Sequence, residues 1–222
     1  MSIVVNVSGF LFLLIIVLLN IATGKYGYEI FSELDPDSKL KAVHDNPKKF
    51  RIGILLAISE HVVIILLAIS LFIAYYTYDI LLGVIWAVSR SLEGLIQIYN
   101  KKNFLGLINI SEQYASSTDT EKVELSEKAL SMLKSKNSTF TFAQILFSIG
   151  TLAYSIVFVV YDVIPWLIGW LGIIAGIIYG LGNGIYRLKE SSKILWNLGG
   201  LLIFIFELIL GGWLLFGTLI FP

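Results

Sequence analysis

The sequence predicts an all-α fold: a polytopic membrane bundle of six spanning helices with both termini on the non-cytoplasmic side. Three observations carry this. The 222 residues are 57% hydrophobic and 14% charged, whereas a soluble domain carries about 25% charge and 45–50% apolar residues. The apolar residues gather into six runs, each near the ~20 residues that cross a hydrocarbon core. Fifteen of the 16 Lys and Arg residues fall between those runs in three segments, all on one side of the bilayer if the six runs span it. A soluble globular domain and a disordered chain are both excluded.

The spans run over about 3–22, 52–75, 80–99, 140–160, 163–185 and 194–216, as one membrane domain over 1–222. The first has no Lys or Arg within residues 1–10 and no A-x-A-like cleavage site after it, so it is expected as a retained helix and not a secretory signal. Spans two and three are joined only by Tyr76, Thr77, Tyr78 and Asp79, and spans four and five by Tyr161 and Asp162. Such links make antiparallel hairpins. The segments 23–51, 100–139 and 186–193 hold every cation except Arg90. By the positive-inside rule these three segments, loops 1, 3 and 5, are cytoplasmic in a cell-membrane protein.

Two of these segments are long enough for structure. Asp35 and Pro36 read as an N-cap and first helical residue, opening a short helix to about His44. Asn46-Pro47 opens span two in the same way. Thr118 to Glu121 reads as a capping box for a helix to about Lys136, with Val123, Leu130 and Leu133 near one face.

Sixteen acidic residues balance the sixteen basic ones, so charge points to no nucleic acid. The chain has no Cys, which excludes disulfides and thiolate metal sites. The two histidines, His44 and His61, stand in no ligand spacing. No metal and no cofactor is expected. The lipid bilayer is the expected surrounding, with a membrane-protein partner or a second copy as the other candidate contacts.

Within the spans lie five ionisable side chains other than tyrosine: Glu60, His61, Arg90, Glu93 and Glu207. Charge at the bilayer centre is costly, about 2.5–3.5 kcal/mol for Arg or Asp on insertion scales, so such groups find partners or face water. At ~1.5 Å per residue, Glu60 and Arg90 sit ~13 Å inside the membrane, near its midplane. Arg90 and Glu93 share a helical face at i, i+3. A cluster of Arg90, Glu93 and Glu60 is geometrically permitted. It is either a polar clamp fixing spans two and three or a proton-, ion- or solute-responsive site. Three carboxylates face one arginine, which leaves at least one acid without an obvious partner.

Span five carries Gly172, Gly176, Gly180 and Gly184 at four-residue intervals, a ridge against which another helix backbone packs closely. Asn46-Pro-Lys-Lys-Phe-Arg-Ile-Gly53, Arg90-Ser-Leu-Glu93 and Val163-Ile-Pro-Trp-Leu-Ile-Gly-Trp-Leu-Gly-Ile-Ile-Ala-Gly176 together resemble the domain of unknown function 4386 family of multi-span membrane proteins. The resemblance covers about residues 10–215, with a longer charged insert around 115–137. It implies the six-span count, highlights Arg51, Arg90 and Glu93, and implies no reaction. The leading functional expectation is a structural or accessory membrane subunit, not an enzyme. A small-molecule or proton/ion-coupled carrier and an intramembrane lipid-acting enzyme are the alternatives.

Overall fold

The computed structural model describes residues 2–188 and 193–220, with side chains over 3–186 and 194–217. Of the expected segment 186–193, the side chains of Arg187 and Lys193 and all of Lys189 thus lie outside the described residues. Every described element is a helix. In order they are α1 (Ser2–Asn20), a π-helical turn (Ile21–Lys25), α2 (Pro36–Asp45), α3 (Pro47–Tyr75), α4 (Ile80–Phe104), α5 (Leu107–Ser116), α6 (Asp119–Val160), α7 (Trp166–Leu188) and α8 (Lys193–Ile220). Six of them are long and apolar enough to cross a membrane.

The local signals act where the sequence places them. Asp35 Oδ1 accepts from the Ser38 N–H at 3.2 Å and caps α2. Hydrogen bonds from Ser38 hold the Asp35 carboxyl below its ordinary range. Glu121 Oε2 accepts from the Thr118 N–H at 2.8 Å, the reach-back arm of a capping box at the start of α6. At the opposite end of the bundle Asp79 Oδ1 accepts from the Leu82 N–H at 2.9 Å and starts α4. Asp162, between α6 and α7, takes φ +49°, a conformation that aspartate tolerates better than most residues.

The spanning helices pack in chain order: α1 on α3, α3 on α4, α4 on α6, α6 on α7, α7 on α8. Helix α8 then returns against α1, closing a six-helix ring. Large apolar side chains such as Leu55, Ile73, Val88, Leu95, Leu181 and Leu208 point outward and are exposed, as lipid-facing positions require. The ring is stitched where side chains are smallest. A Cβ at Gly9 would strike the backbone of Leu215 and Gly211 at the α1–α8 crossing. Half of the interior is filled with aromatics. The Tyr154 ring stacks on Phe206 at 6.1 Å and meets Phe12 and Trp86 edge-on at 6.5 Å each.

Three expectations are corrected. The helix expected over 118–136 and span four are one unbroken 42-residue helix, α6. Nothing in Asn137-Ser138-Thr139 stops a helix. Its buried face before the membrane is Ala129, Leu133 and Lys136, while Val123 is 61% exposed. The segment after span three is also more structured than expected. Helix α4 runs on to Phe104, and α5 follows with Leu107, Ile108 and Ile110 buried. Helices α2 and α5 and the first turns of α6 share a second core of Leu40, Ile54, Phe104, Leu107 and Leu133. They form a small cap on the loop-rich end. Lastly, Lys101 and Lys136, expected as loop cations, are each 2% exposed.

Candidate functional site: a charged cavity inside the ring

The half of the ring interior nearer the basic loops is not filled. A cavity of about 340 Å³ lies there, walled by all six spanning helices. On each helix but α8 its lining residues come from the turns on the basic side of the aromatic layer, and on α8 they reach that layer. In α1 they are Ile15, Ile16, Leu19 and Asn20, beyond Phe12. In α8 they run from Trp196 to Glu207, just past Phe206. The cavity is therefore one-sided. Tyr154, Phe206, Phe12 and Trp86, all at most 2% exposed, separate it from the far face. Three of its lining residues, Asn20, Asn197 and Phe204, are exposed, so it opens between α1 and α8.

The ionisable residues named from sequence all line this cavity. Arg90 Nη1 lies 3.1 Å from Glu93 Oε2, the i, i+3 pair on α4. Arg90 Nη2 lies 3.9 Å from Glu207 Oε1 of α8, and its guanidinium covers the Phe147 ring of α6 at 4.1 Å. Such contacts suit the planar, weakly hydrated guanidinium. Helix α6 makes room for the arginine stem at Gly150, where a Cβ would come within 2.7 Å of Arg90 Cγ. Glu60 does not reach Arg90 as an ion pair. It is linked through His61, whose Nδ1 is 2.5 Å from Glu60 Oε2 and whose Nε2 is 3.6 Å from Glu93 Oε1. Arg51, highlighted by the family resemblance, is exposed and outside the cavity lining.

The sequence reading missed Lys101, which completes the cluster. Its Nζ lies 3.4 Å from His61 Nε2 and donates to Gln97 Oε1 at 3.2 Å. A signal for it exists. Arg90, Glu93, Gln97 and Lys101 recur at helical spacing along α4, and each is buried. Ending the span at Tyr99 hid the last of them.

These charges are close without being saturated. Arg90 Nη1, Glu60 Oε2, Glu93 Oε2, Glu207 Oε1 and Gln97 Nε2 are buried and have no hydrogen-bond partner of acceptable geometry. The Arg90–Glu93 and Glu60–His61 pairs are thus close contacts that miss hydrogen-bond alignment. Among the described residues no three of His, Cys, Asp or Glu converge on a point where a metal ion fits.

A strap closes part of the basic end. Residues 28–32 follow Gly27, whose φ of +65° turns the chain. Tyr28 and Ile30 line the cavity. Burial, above all, pushes the Tyr28 hydroxyl pKa upward, so the ring stays neutral. Lys136 Nζ donates to the carbonyls of Glu29 and Ile30 at 2.8 and 3.1 Å and to Ser32 Oγ at 3.0 Å. Asn137 and Ser32 exchange two hydrogen bonds, of 2.7 and 2.9 Å.

The glycine ridge faces α6 for most of its length. A Cβ at Gly172 would meet Ser155 and the Phe206 ring, one at Gly176 would meet Leu152 at 3.1 Å, and one at Gly180 would meet Ser148 at 3.1 Å. Gly184 faces open space.

No curated protein and no solved structure matches the chain. A family model described as Domain of unknown function (DUF4386) matches residues 7–217; that is nearly the whole chain, which belongs to this family.

Proposed function

We propose that the protein is a carrier for a small polar or charged solute, which it holds in the cavity inside the ring. The supporting observation is a 340 Å³ space lined by buried charged groups whose hydrogen-bonding capacity is partly unused. Ligand sites are concave, largely apolar, about 300–1,000 Å³ in volume, and carry a few convergent polar groups. Charges near a membrane midplane typically mark a solute or proton path. The one-sided opening and the aromatic layer behind it correspond, in this reading, to one access state of an alternating carrier. In this reading the basic end faces the cytoplasm of a cell membrane, as the distribution of lysines supports.

The accessory-subunit reading depends on the glycine groove being free, and α6 occupies that groove from Gly172 to Gly180. Catalysis has less support than binding: no Ser, Thr or Cys lines the cavity, and its histidine contacts the lysine and the carboxylates in place of an activated nucleophile. The bilayer is the only surrounding the carrier reading requires; a second copy or partner protein is optional, and nucleic acid has no place in it.

The test is flux. Protein reconstituted in liposomes is expected to move a member of a panel of radiolabelled amines, amino acids and organic acids, and Glu93→Gln is expected to slow that movement at least tenfold. Equal flux in wild type and variant counts decisively against a carrier centred on this cluster. Stoichiometric copurification with one membrane partner, without flux, returns the protein to the accessory reading.

A further inference from the structure

We infer that the ligand of the cavity is an organic cation, specifically a primary ammonium carried on a small apolar body. This rests on the carrier reading and specifies its substrate class.

The wall of the cavity carries more acidic than basic side chains. Its wall holds three carboxylates, Glu60, Glu93 and Glu207, and one guanidinium, Arg90. Lys101 and His61 must be taken together. At 3.4 Å, Lys101 Nζ and His61 Nε2 are within hydrogen-bond range, and such a bond requires one nitrogen to donate and the other to offer a lone pair. Their remaining contacts decide the roles. Lys101 also donates to Gln97 Oε1, and His61 Nδ1 lies 2.9 Å from the Ala57 carbonyl, which only accepts. The histidine therefore carries its proton on Nδ1 and accepts at Nε2, and the pair contributes a single positive charge. Lys136 is turned toward the strap carbonyls and does not line the cavity. Two cationic groups face three carboxyl groups.

The unused atoms agree with this imbalance. Three of them, Glu60 Oε2, Glu93 Oε2 and Glu207 Oε1, are acceptors that take no aligned hydrogen bond, against two such donors, Arg90 Nη1 and Gln97 Nε2, and the three carboxyls are at most 8% exposed. An ammonium group offers three N–H donors and no acceptor. A bare metal ion suits the site less well, because these carboxylates do not converge on one point. The remaining wall includes the aromatic residues Tyr179 and Trp196, a ring type that attracts cations and packs against an apolar body. A quaternary ammonium has no N–H to give, so the primary amine is the better fit.

The experiment is calorimetric titration of the full chain in nanodiscs, with empty nanodiscs as the blank for partitioning. Three probes of similar shape are compared: 2-phenylethylammonium, 2-phenylethanol and 3-phenylpropanoate. The ammonium is expected to bind at one site, at least tenfold more tightly than either of the others. Glu207→Gln and, separately, Glu60→Gln are each expected to raise its Kd at least tenfold while unfolding of the ligand-free variant stays cooperative. Binding of the alcohol or the carboxylate as tightly as the ammonium overturns the cation assignment and leaves the cavity reading standing. Ammonium binding that neither variant weakens overturns the assignment as well. No heat above the blank from any probe overturns both readings.

Discussion

Arg90 touches two helices besides its own, α8 through Glu207 and α6 through Phe147 and Gly150, and its partner Glu93 reaches α3 at His61. Removing it leaves Glu93 and Glu207 without their positive partner. Breaking a buried pair on one side costs about 3–5 kcal/mol, because the remaining charge is uncompensated. The charge left behind borders a cavity, so Arg90→Met is expected to cost about 3 kcal/mol, at the low end. Reversible unfolding in mixed micelles measures it. The double change Arg90→Met with Glu93→Met is expected to cost less than the sum of the single ones, and strict additivity would show that the two residues do not act as a unit. Arg90 and Glu93 were legible in the sequence, because opposite charges at i, i+3 inside an apolar run can neutralise each other where neither is tolerated alone. Lys101 was less legible. A lysine four residues beyond a glutamine near a span end reads as a loop cation until the helix is seen to continue inward.

The strap over 28–32 owes its position to α6 and not to its own sequence. It has no regular structure, and its carbonyls are held by Lys136 and its Ser32 peptide by Asn137. These two residues project inward because α6 is continuous from the cap into the membrane. Lys136→Met removes three hydrogen bonds and keeps the length of the side chain. The Ser32 amide and its neighbours are expected to exchange hydrogen at least tenfold faster in this variant, with the amides of α3 unchanged. Unchanged exchange in 28–34 would mean that Lys136 does not hold the strap. Neither α5 nor the continuity of α6 was legible. Propensity fixes where helices begin, through Asp35, Asp79 and Thr118, better than where they merge. The merger depends on burying Leu133 and Lys136 against elements distant in sequence, and no local pattern records that.

The six spans and their alternation follow from hydropathy and lysine placement. The closed ring does not, since a linear pattern cannot say whether the last helix returns to the first. The natural absence of cysteine makes access to the interior directly measurable. Single substitutions Asn20→Cys and Asn197→Cys, at the opening between α1 and α8, are expected to react with a membrane-impermeant maleimide from the basic side. Phe12→Cys and Phe206→Cys, in the aromatic layer, are expected to stay unlabelled until the protein is denatured. Labelling of the deep pair at the rate of the opening pair would show that the aromatic layer is not a barrier. The α1–α8 seam also bears on biosynthesis. Chains are made and packed from the N-terminal end, so Glu60, His61, Arg90 and Glu93 enter the membrane while the ring still lacks a wall. Glu207 arrives on the last helix. A chain stalled before residue 193 presents an arginine and two glutamates to lipid or to the insertion machinery. Completion of α8 is thus the step that turns a costly nascent intermediate into a closed ring, and the point at which quality control can distinguish the two.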